Sequence, residues 1–245
     1  MKIYIATHKK SPLPEKLDSN LYKCIQVGAA LNEKFADLCD NLGESNISEK
    51  NPIYNELTAT YWIWKNSKEN IVGLCHYRRF FVTWIGKFIN VISGKKMFFL
   101  TEAQINSALK KRQVIVHNLT FFAEGIEKQF MRTQNDTDID IVRHVINYEF
   151  NDYSLAFEHV MKRKHVHLLN MIIAPKDLFN SYCEWLFAVL FKTEEVIRDK
   201  YPERDLSRAM GMLAERLLDV WLVKNKIKIK AMPAINTEKI NWKVW

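Results

Sequence analysis

Two arginines, Arg78 and Arg79, follow an apolar run, Ile71 to His76, that has the composition of a buried central β-strand. A guanidinium suits a core poorly, but it offers a planar fork of donors that matches the oxygens of a phosphate. At the end of such a strand the pair could clamp a diphosphate. The alternative is a surface pair held in ordinary salt bridges, and the spacing alone leaves both interpretations open.

Two glutamates form the second set of residues that could do chemistry. Glu56 stands in an aromatic helical segment, Tyr54 to Lys65, in which few other residues are polar. Its carboxylate could bind a ribose, a sugar hydroxyl or an arginine, or it could complement the helix dipole. Glu215 and Arg216 lie within an otherwise apolar helix, where charge is costly unless it is paired or functional. Glu215 is therefore either half of a structural ion pair or a general base for an attacking hydroxyl.

Metal-binding patterns are weak in this sequence. Asp136, Asp138 and Asp140 resemble a D-x-D pattern, but we expect them to begin a helix, because acidic residues are favoured at the N-cap and in the first turn. Two further pairs are expected not to ligate: His165 with His167, and Cys75 with His76. The glycine-rich patterns of P-loop ATPases and Rossmann dehydrogenases and the G-x-S-x-G of α/β-hydrolases are absent from the sequence. We therefore predict no metal site.

The composition is that of a basic globular protein. The 245 residues are 48% hydrophobic and 26% charged, and the seven glycines and six prolines exclude repeat arrays, collagens and long flexible linkers. A net charge of +8 and a pI of about 9.2 favour anionic partners. Phosphorylated substrates, acidic lipids and nucleic acid all fit, and composition does not choose among them.

The cysteines and the N-terminus indicate the compartment. Four widely spaced cysteines, Cys24, Cys39, Cys75 and Cys183, form no C-x-x-C pair, which argues against a zinc site or disulfides and fits a reducing cytosol. Residues 1–7 show no signal peptide, and no stretch of about 18 apolar residues predicts a transmembrane helix. We expect a cytoplasmic protein whose membrane contact, if any, is peripheral.

Strand-like and helix-like segments alternate, which predicts one α/β domain over residues 1–245 with ligands beyond the carboxyl ends of its strands. Strands are expected at Ile3 to Ala6, Leu21 to Val27, Ile71 to His76, Val114 to His117, His167 to Ala174 and in the basic tail from Lys226. Helices are expected at Tyr54 to Lys65 (capped by Asn51 or Asn55), Thr101 to Lys110 (capped by Thr101), Asp138 to Tyr148, Tyr153 to Lys162, Lys176 to Asp199 and Leu206 to Lys224. Residues 40–51 read as a loop, and Trp84 to Phe99 stays unassigned.

Five phrases occur in order along nearly the whole chain. They are VGAA at 27–30, DNLGESNISEKNPIYNELTATYWIWKN at 40–66, IVGLCHYRRFF at 71–81, LLNMIIAPKDLFNSYCEWLF at 168–187 and RAMGMLAERLLDVWL at 208–222. Together they closely resemble a bacterial family catalogued as a domain of unknown function. Its members lie in capsular and exopolysaccharide clusters and are regarded as glycosyltransferases, some of them similar to galactofuranosyltransferases. Phe121 to Gln134 matches that family poorly.

The resemblance implies an α/β, GT-A-like fold with a central, mostly parallel sheet flanked by helices and a helical C-terminal part. Residues 1 to about 120 would form the nucleotide-sugar half, and about 121–245 the acceptor half. The implied reaction moves a hexose, galactofuranose or galactose, from a UDP-sugar to a glycan or lipid-linked acceptor, with inversion. The products would be capsular polysaccharide, exopolysaccharide or lipopolysaccharide.

The resemblance also implies roles for particular residues. The expected base is Glu215 or else Asp152. The expected donor-binding residues are Thr7, His8, Asp40, Asn46, Ser48, Asn51, Glu56, Thr58, His76, Arg78, Arg79 and Asn170. His76, Arg78 and Arg79 stand where many GT-A enzymes carry a metal-binding D-x-D, so the arginines could neutralise the leaving diphosphate in place of a cation. Dependence on Mn²⁺ or Mg²⁺ is the alternative.

Two other function classes compete with a glycosyltransferase. One is a non-catalytic basic module, for example a nucleic-acid binder, although the sequence has no recognition-helix or RNP-like motif. The other is a different nucleotide-sugar enzyme, such as a phosphotransferase or a hydrolase. We expect a UDP-sugar donor, a glycan acceptor and no nucleic-acid partner.

Overall fold

The computed structural model describes residues 1–93, 98–110 and 113–238. The strands are β1 (Lys2–Thr7), β2 (Tyr22–Gln26), β3 (Ile71–His76), β4 (Arg79–Phe81), β5 (Gln113–His117), β6 (Leu119–Phe121), β7 (His165–His167), β8 (Ile172–Pro175), β9 (Lys228–Met232) and β10 (Ala234–Asn236). The helices are α1 (Asn51–Tyr54), α2 (Leu57–Asn66), α3 (Trp84–Ser93), α4 (Glu102–Leu109), α5 (Ile126–Thr133), α6 (Thr137–Glu149), α7 (Ser154–Met161), α8 (Lys176–Lys200) and α9 (Ala209–Lys224). Short 3₁₀ turns cover Ser48–Lys50 and Asn151–Tyr153.

The central sheet contains eight of these strands. Strand β1 pairs in parallel with both β2 and β3, β5 pairs in parallel with β9, and β8 runs antiparallel between β3 and β5. Strands β4 and β10 continue the sheet from the end of β3. Gly73 allows the close fit at the centre, because a Cβ there would lie 2.7 Å from Ile173 and 2.9 Å from Ile3. The parallel pairings hold most of the paired residues, as predicted.

Apolar side chains cover both faces of the sheet. The larger cluster joins the sheet to the helices and contains Tyr54, Phe130, Phe157, Phe179, Phe187 and Trp221, all at most 1% exposed. The smaller cluster, on residues such as Ile5, Phe80 and Ile105, joins the sheet to α4. This layered arrangement with helices flanking the sheet confirms the predicted α/β class.

Most of the expected elements are present. Thr101 caps α4 in a capping box with Gln104, as predicted. The unassigned stretch from Trp84 contains α3. Asp138 and Asp140 lie in the first turn of α6, where they pair with Arg204 and Arg143. All four cysteines are free thiols.

No helix in the described ranges has the length and apolarity that crossing a membrane requires.

The expected strand over His167 to Ala174 is wrong as a single element. The chain forms β7, then a turn, then β8, because Leu169 and Asn170 adopt left-handed backbone conformations with φ of 82° and 50°. Such conformations are costly for residues other than glycine and persist only where the surroundings hold them. Here the Leu169 amide donates to Glu215, and the Asn170 side chain donates to Glu56. The apolar composition concealed this turn.

The expected helix over Tyr54 to Lys65 is interrupted, and neither proposed cap is correct. Asn55 takes a φ of 51° and a ψ of −129°, which ends α1 and delays α2 to Leu57. Glu56 is the N-cap residue of α2 and makes no capping bond. The Asn51 side chain instead donates to the Asn55 carbonyl at 2.8 Å and to Thr58 at 3.2 Å. The break brings Asn55 and Glu56 to the edge of the sheet.

Candidate active site

A cleft of about 320 Å³ opens at the carboxyl ends of β1 and β3. Its walls come from these strand ends, the α1–α2 break, the β7–β8 turn and the start of α9. The lining residues are Ala6, His8, Val27, Asn51, Asn55, Glu56, His76, Tyr77, Arg78, Arg79, Leu169, Arg208, Gly211, Met212 and Glu215. The position is the one expected for a ligand in an open α/β sheet.

A tight hairpin presents the two adjacent arginines to the cleft. His76 pairs with Arg79 across β3 and β4, so only Tyr77 and Arg78 form the turn. Arg78 donates to Glu238 at 3.2 Å. The Arg79 guanidinium makes no hydrogen bond or ion pair with any described residue, although burial and the charge of Arg78 lower its pKa. The negative charges of Glu215 and Glu56 oppose this decrease, but neither carboxylate accepts a hydrogen bond from Arg79, so its donors are free for an anion.

Glu215 faces the cleft from α9 with both carboxylate oxygens held. One oxygen accepts the Leu169 amide at 2.9 Å, and the other accepts Arg216 Nη1 at 2.8 Å. Burial raises the pKa of Glu215 and the nearby Glu56 raises it further, while Arg216 opposes the rise. A fixed carboxylate whose pKa lies above its ordinary value suits a general base.

Arg216 lies behind Glu215, entirely inside the protein. Its side chain is 1% exposed, and it donates to Gln129 at 2.6 Å and to the Met212 carbonyl at 3.1 Å as well as to Glu215. Burial lowers the pKa of this guanidinium, and Glu215 opposes the decrease. The sequence left open whether Glu215 is a structural ion pair or a base. The geometry allows both, because the pair is buried on one side and reaches the cleft on the other.

A second carboxylate, Glu56, lies close enough to raise the pKa of Glu215. The Asn170 side-chain amide donates to Glu56 at 2.7 Å and to the Gly211 carbonyl at 2.9 Å. Asn170 was expected on a strand and as a donor-binding residue, but it sits on the β7–β8 turn, does not line the cleft, and connects Glu56 to α9. The His76 ring nitrogen lies 2.6 Å from the Leu169 carbonyl oxygen, which accepts from it.

Four of the expected donor-binding residues do not line the cleft: Asp40, Asn46 and Ser48 lie in the segment before α1, and Thr58 lies in the first turn of α2. Asp40 is buried and accepts the Gly28 and Ala29 amides at 2.8 and 3.1 Å and the Ser48 hydroxyl at 2.5 Å. This network holds Gly28, whose φ of 66° and closeness to Asn51 leave no room for a side chain. A direct role for these residues in donor binding stays a prediction.

The remaining predicted residues differ in position. His8 lines the cleft, and burial and its cationic neighbours Lys9 and Arg78 lower its pKa. Thr7 is buried just behind it and donates to the Lys9 carbonyl. Asp152, the alternative base, is 60% exposed, pairs with Lys224 at 2.9 Å and does not line the cleft.

Sequence reasoning did not select Arg208, Gly211 or Asn55 as site residues. Arg208 immediately precedes α9, and Gly211 and Glu215 follow on the same helical face at spacings of three and seven residues, which is the signal that could have identified it. A Cβ on Gly211 would lie 2.7 Å from Asn55 Nδ2, so the glycine allows α9 to approach the α1–α2 break. Nothing in the sequence indicated the turn at Asn55.

One of the histidines in the H-x-H pair, His167, is engaged with an aspartate. The His167 Nδ1 lies 2.5 Å from Asp219, one turn beyond Glu215 on α9. Within the described ranges, no three His, Cys, Asp or Glu side chains are grouped as metal ligands would be. Whether the reaction uses a cation therefore stays a prediction.

Comparison with known proteins identifies the family. Residues 2–226 match the profile of the family described as Domain of unknown function (DUF4422). The chain belongs to this family. The family resemblance drawn from the HYRR and NELTA phrases is thereby confirmed, and a search of curated proteins found no match.

A solved structure, the apo form of the bifunctional glycosyltransferase WbbM, matches the fold with a TM-score of 0.82 at 25% identity. The match covers 97% of this chain and 45% of the WbbM chain, so this chain spans less than half the length of that protein. The predicted GT-A-like fold of the family member is confirmed by this match.

Proposed function

We propose that this protein is a glycosyltransferase that moves a hexose from a UDP-sugar to a glycan or lipid-linked acceptor. The observation that carries the proposal is one cleft that holds both Arg79, whose guanidinium donates to none of the described residues, and a carboxylate of raised pKa, Glu215. The first group suits a diphosphate and the second suits an attacking hydroxyl. The DUF4422 membership and the likeness to WbbM, described as a glycosyltransferase, support the same reaction class.

The chemistry is a single displacement at the anomeric carbon. Glu215 accepts the proton of the acceptor hydroxyl, whose oxygen forms the new glycosidic bond as the bond to the UDP diphosphate breaks. The electron pair of that bond leaves with the diphosphate, and Arg78 and Arg79 neutralise the charge that grows there. One displacement from the opposite face inverts the anomeric centre.

Arg208 adds a third cation to the cleft wall, at the start of α9. Three guanidiniums around one cleft supply positive charge of the kind that Mn²⁺ or Mg²⁺ supplies in other transferases. We therefore propose transfer without a divalent cation. Activity that disappears in EDTA and returns only with Mn²⁺ or Mg²⁺ would contradict this part of the proposal.

The finer assignments come from kinship. We propose galactofuranose or galactose as the sugar, and capsular polysaccharide, exopolysaccharide or lipopolysaccharide as the product. We propose that the protein works in the cytoplasm, in peripheral contact with the inner face of the plasma membrane. The net charge of +8 supports an anionic, diphospholipid-linked acceptor.

The experiment that tests this function is a donor screen by mass spectrometry. UDP-galactofuranose, UDP-galactose and UDP-glucose are each supplied with lysate glycolipid and with simple glycosides, and transfer of one hexose mass is expected for one donor. Thermal shifts with UDP and with oligonucleotides serve as a parallel binding assay, in which only UDP should stabilise the protein. Donor turnover without any acceptor product would indicate a hydrolase or phosphotransferase and overturn the assignment.

A further inference from the structure

Helix α3 exposes a row of large apolar side chains. Trp84, Ile85, Phe88 and Ile92 are 63%, 73%, 67% and 59% exposed. At 100° per residue they fall within an arc of about 100° on one face of the helix. Elsewhere in the described ranges, the exposed large apolar residues are spread over several different elements. A contiguous apolar face of this kind marks an interaction surface.

The opposite face of α3 is anchored to the protein. Asn90 is 4% exposed, and its side chain accepts the Phe98 amide at 2.7 Å and donates to the Phe98 carbonyl at 3.3 Å. Gly86 is buried as well, and its amide donates to Thr83 at 2.9 Å. The apolar row therefore lies opposite the face by which α3 contacts the residues on either side of it.

The sequence segment that contains α3 carries charge of one sign. The sequence from Val82 to Thr101 contains three lysines and no aspartate or glutamate. One of them, Lys87, lies at the border of the apolar row, with its Nζ 5.6 Å from the centre of the Trp84 ring. An aromatic and aliphatic face bordered by lysine is the pattern of a helix that lies in the interface of an anionic bilayer.

We propose that α3 docks the protein on an anionic lipid bilayer, with Trp84, Ile85, Phe88 and Ile92 inserted among the acyl chains. Lys87, at the border of the row, contacts the headgroups. An anionic membrane would repel acidic side chains on this segment and attract its lysines. The lack of aspartate and glutamate from Val82 to Thr101 therefore favours a membrane over a protein partner.

The helix is also close to the cleft. It begins five residues after Arg79, directly beyond β4. His117, at the end of β5, lies close to both regions. Burial lowers its pKa to about 4, and the positive charges of Lys87 and Arg79 contribute to this decrease. Docking through α3 would thus hold the cleft beside the membrane surface, within reach of a lipid-linked acceptor.

Vesicle flotation tests this inference without donor or acceptor, so its result does not depend on the proposed function. The full chain is mixed with vesicles of phosphatidylcholine, with or without phosphatidylglycerol. We expect binding to the anionic vesicles and at least about tenfold weaker binding by the double variant Ile85→Ser/Phe88→Ser. The matched control is Tyr148→Ser/Leu155→Ser, which removes two side chains that are 77% and 87% exposed on other helices and should bind like the parent.

A second measurement covers the case in which the double variant folds poorly. Brominated lipid should quench the tryptophan fluorescence of the parent protein, and Trp84→Phe, which preserves the apolar face, should abolish most of that quenching. The inference is overturned if the parent does not float with anionic vesicles, or if Ile85→Ser/Phe88→Ser floats equally well. It is also overturned if the parent is a dimer that the double variant dissociates while neither binds vesicles, because a second copy would then cover α3.

Discussion

Two arginines that both interact with Glu215 have different surroundings. Inside α9, Arg216 is buried and donates to Glu215, Gln129 and the Met212 carbonyl. At the β3–β4 turn, Arg79 is half-buried, and its guanidinium has no hydrogen bond or ion pair with the residues that the structure describes. Arg216 is fully buried and Arg79 is half-buried, and only Arg216 donates hydrogen bonds to protein acceptors, while Arg79 interacts with Glu215 and Glu56 through charge alone.

This difference distinguishes Arg216, whose charge stabilises the fold, from Arg79, whose donors are available to a ligand. Arg216 is a structural element, because both of its terminal nitrogens donate to protein acceptors, and removing one partner of such a buried pair leaves an uncompensated charge. A half-buried guanidinium whose donors make no hydrogen bond to the protein can donate them to an anionic ligand. Glu215 joins the two regions, since Arg216 fixes it from behind while its cleft side remains available. Substitutions in the two regions should therefore affect different measurements.

The largest effect is expected for Glu215→Gln. The amide can still accept the Leu169 amide, but it cannot take a proton, so the transfer rate should fall by about 10³-fold while UDP binding is kept. The pKa of Glu215 is raised, and the base must be ionised, so the parent rate should rise with pH through that raised pKa. The variant should lose this rise. The measurement is a pH profile of transfer rate, with UDP affinity as the control.

The next effect concerns stability and should appear in Arg216→Met. This substitution leaves Glu215 and Gln129 without their buried donor, and breaking such a pair should lower the free energy of unfolding by about 3 kcal/mol. Urea unfolding followed by circular dichroism measures it. In the double variant Arg216→Met/Glu215→Gln part of the loss should be recovered, because no charge is then buried alone. If Arg216→Met unfolds like the parent, the two regions do not differ as described.

Arg79→Gln should show the reverse pattern. The affinity for UDP should fall by about 10- to 100-fold, because a charge-assisted contact to the diphosphate is lost, while stability is unchanged. Arg78→Gln should cost less affinity, since Arg78 is already engaged with Glu238. Calorimetric titration with UDP compares the variants. Equal affinity of Arg79→Gln and the parent would remove the diphosphate role of this residue.

The sequence was informative about the fold wherever a periodic pattern met a clear boundary. The apolar run Ile71–His76 and the Thr101 capping box could be read directly, because strand burial and helix capping are local properties. The breaks at Asn55 and at Leu169–Asn170 could not, because each left-handed conformation is maintained by contacts with residues distant in sequence. These two breaks bring Glu56 and Leu169 to the cleft.

The candidate site was predictable in part for the same reason. Arg78, Arg79 and Glu215 carry charge at positions where a local apolar pattern makes charge conspicuous, and all three line the cleft. Asp40 was expected only from the family resemblance, and its carboxylate accepts the amide of Gly28 in the neighbouring loop. Sequence patterns do not show whether a charged residue already has a partner, and that property distinguishes Arg79 from Arg216.

The smallest effect is expected for Asp152→Asn, which decides between the two candidate bases. Asp152 is 60% exposed, lies outside the cleft and pairs with Lys224, an arrangement in which an exposed ion pair contributes little. Because Asp152 takes no part in proton transfer, the transfer rate should stay within about twofold of the parent rate. A loss comparable to that of Glu215→Gln, with UDP affinity unchanged, would move the base to Asp152. It would also mean that the acceptor hydroxyl approaches from the α7 side, so that the free guanidinium and the base do not share one cleft.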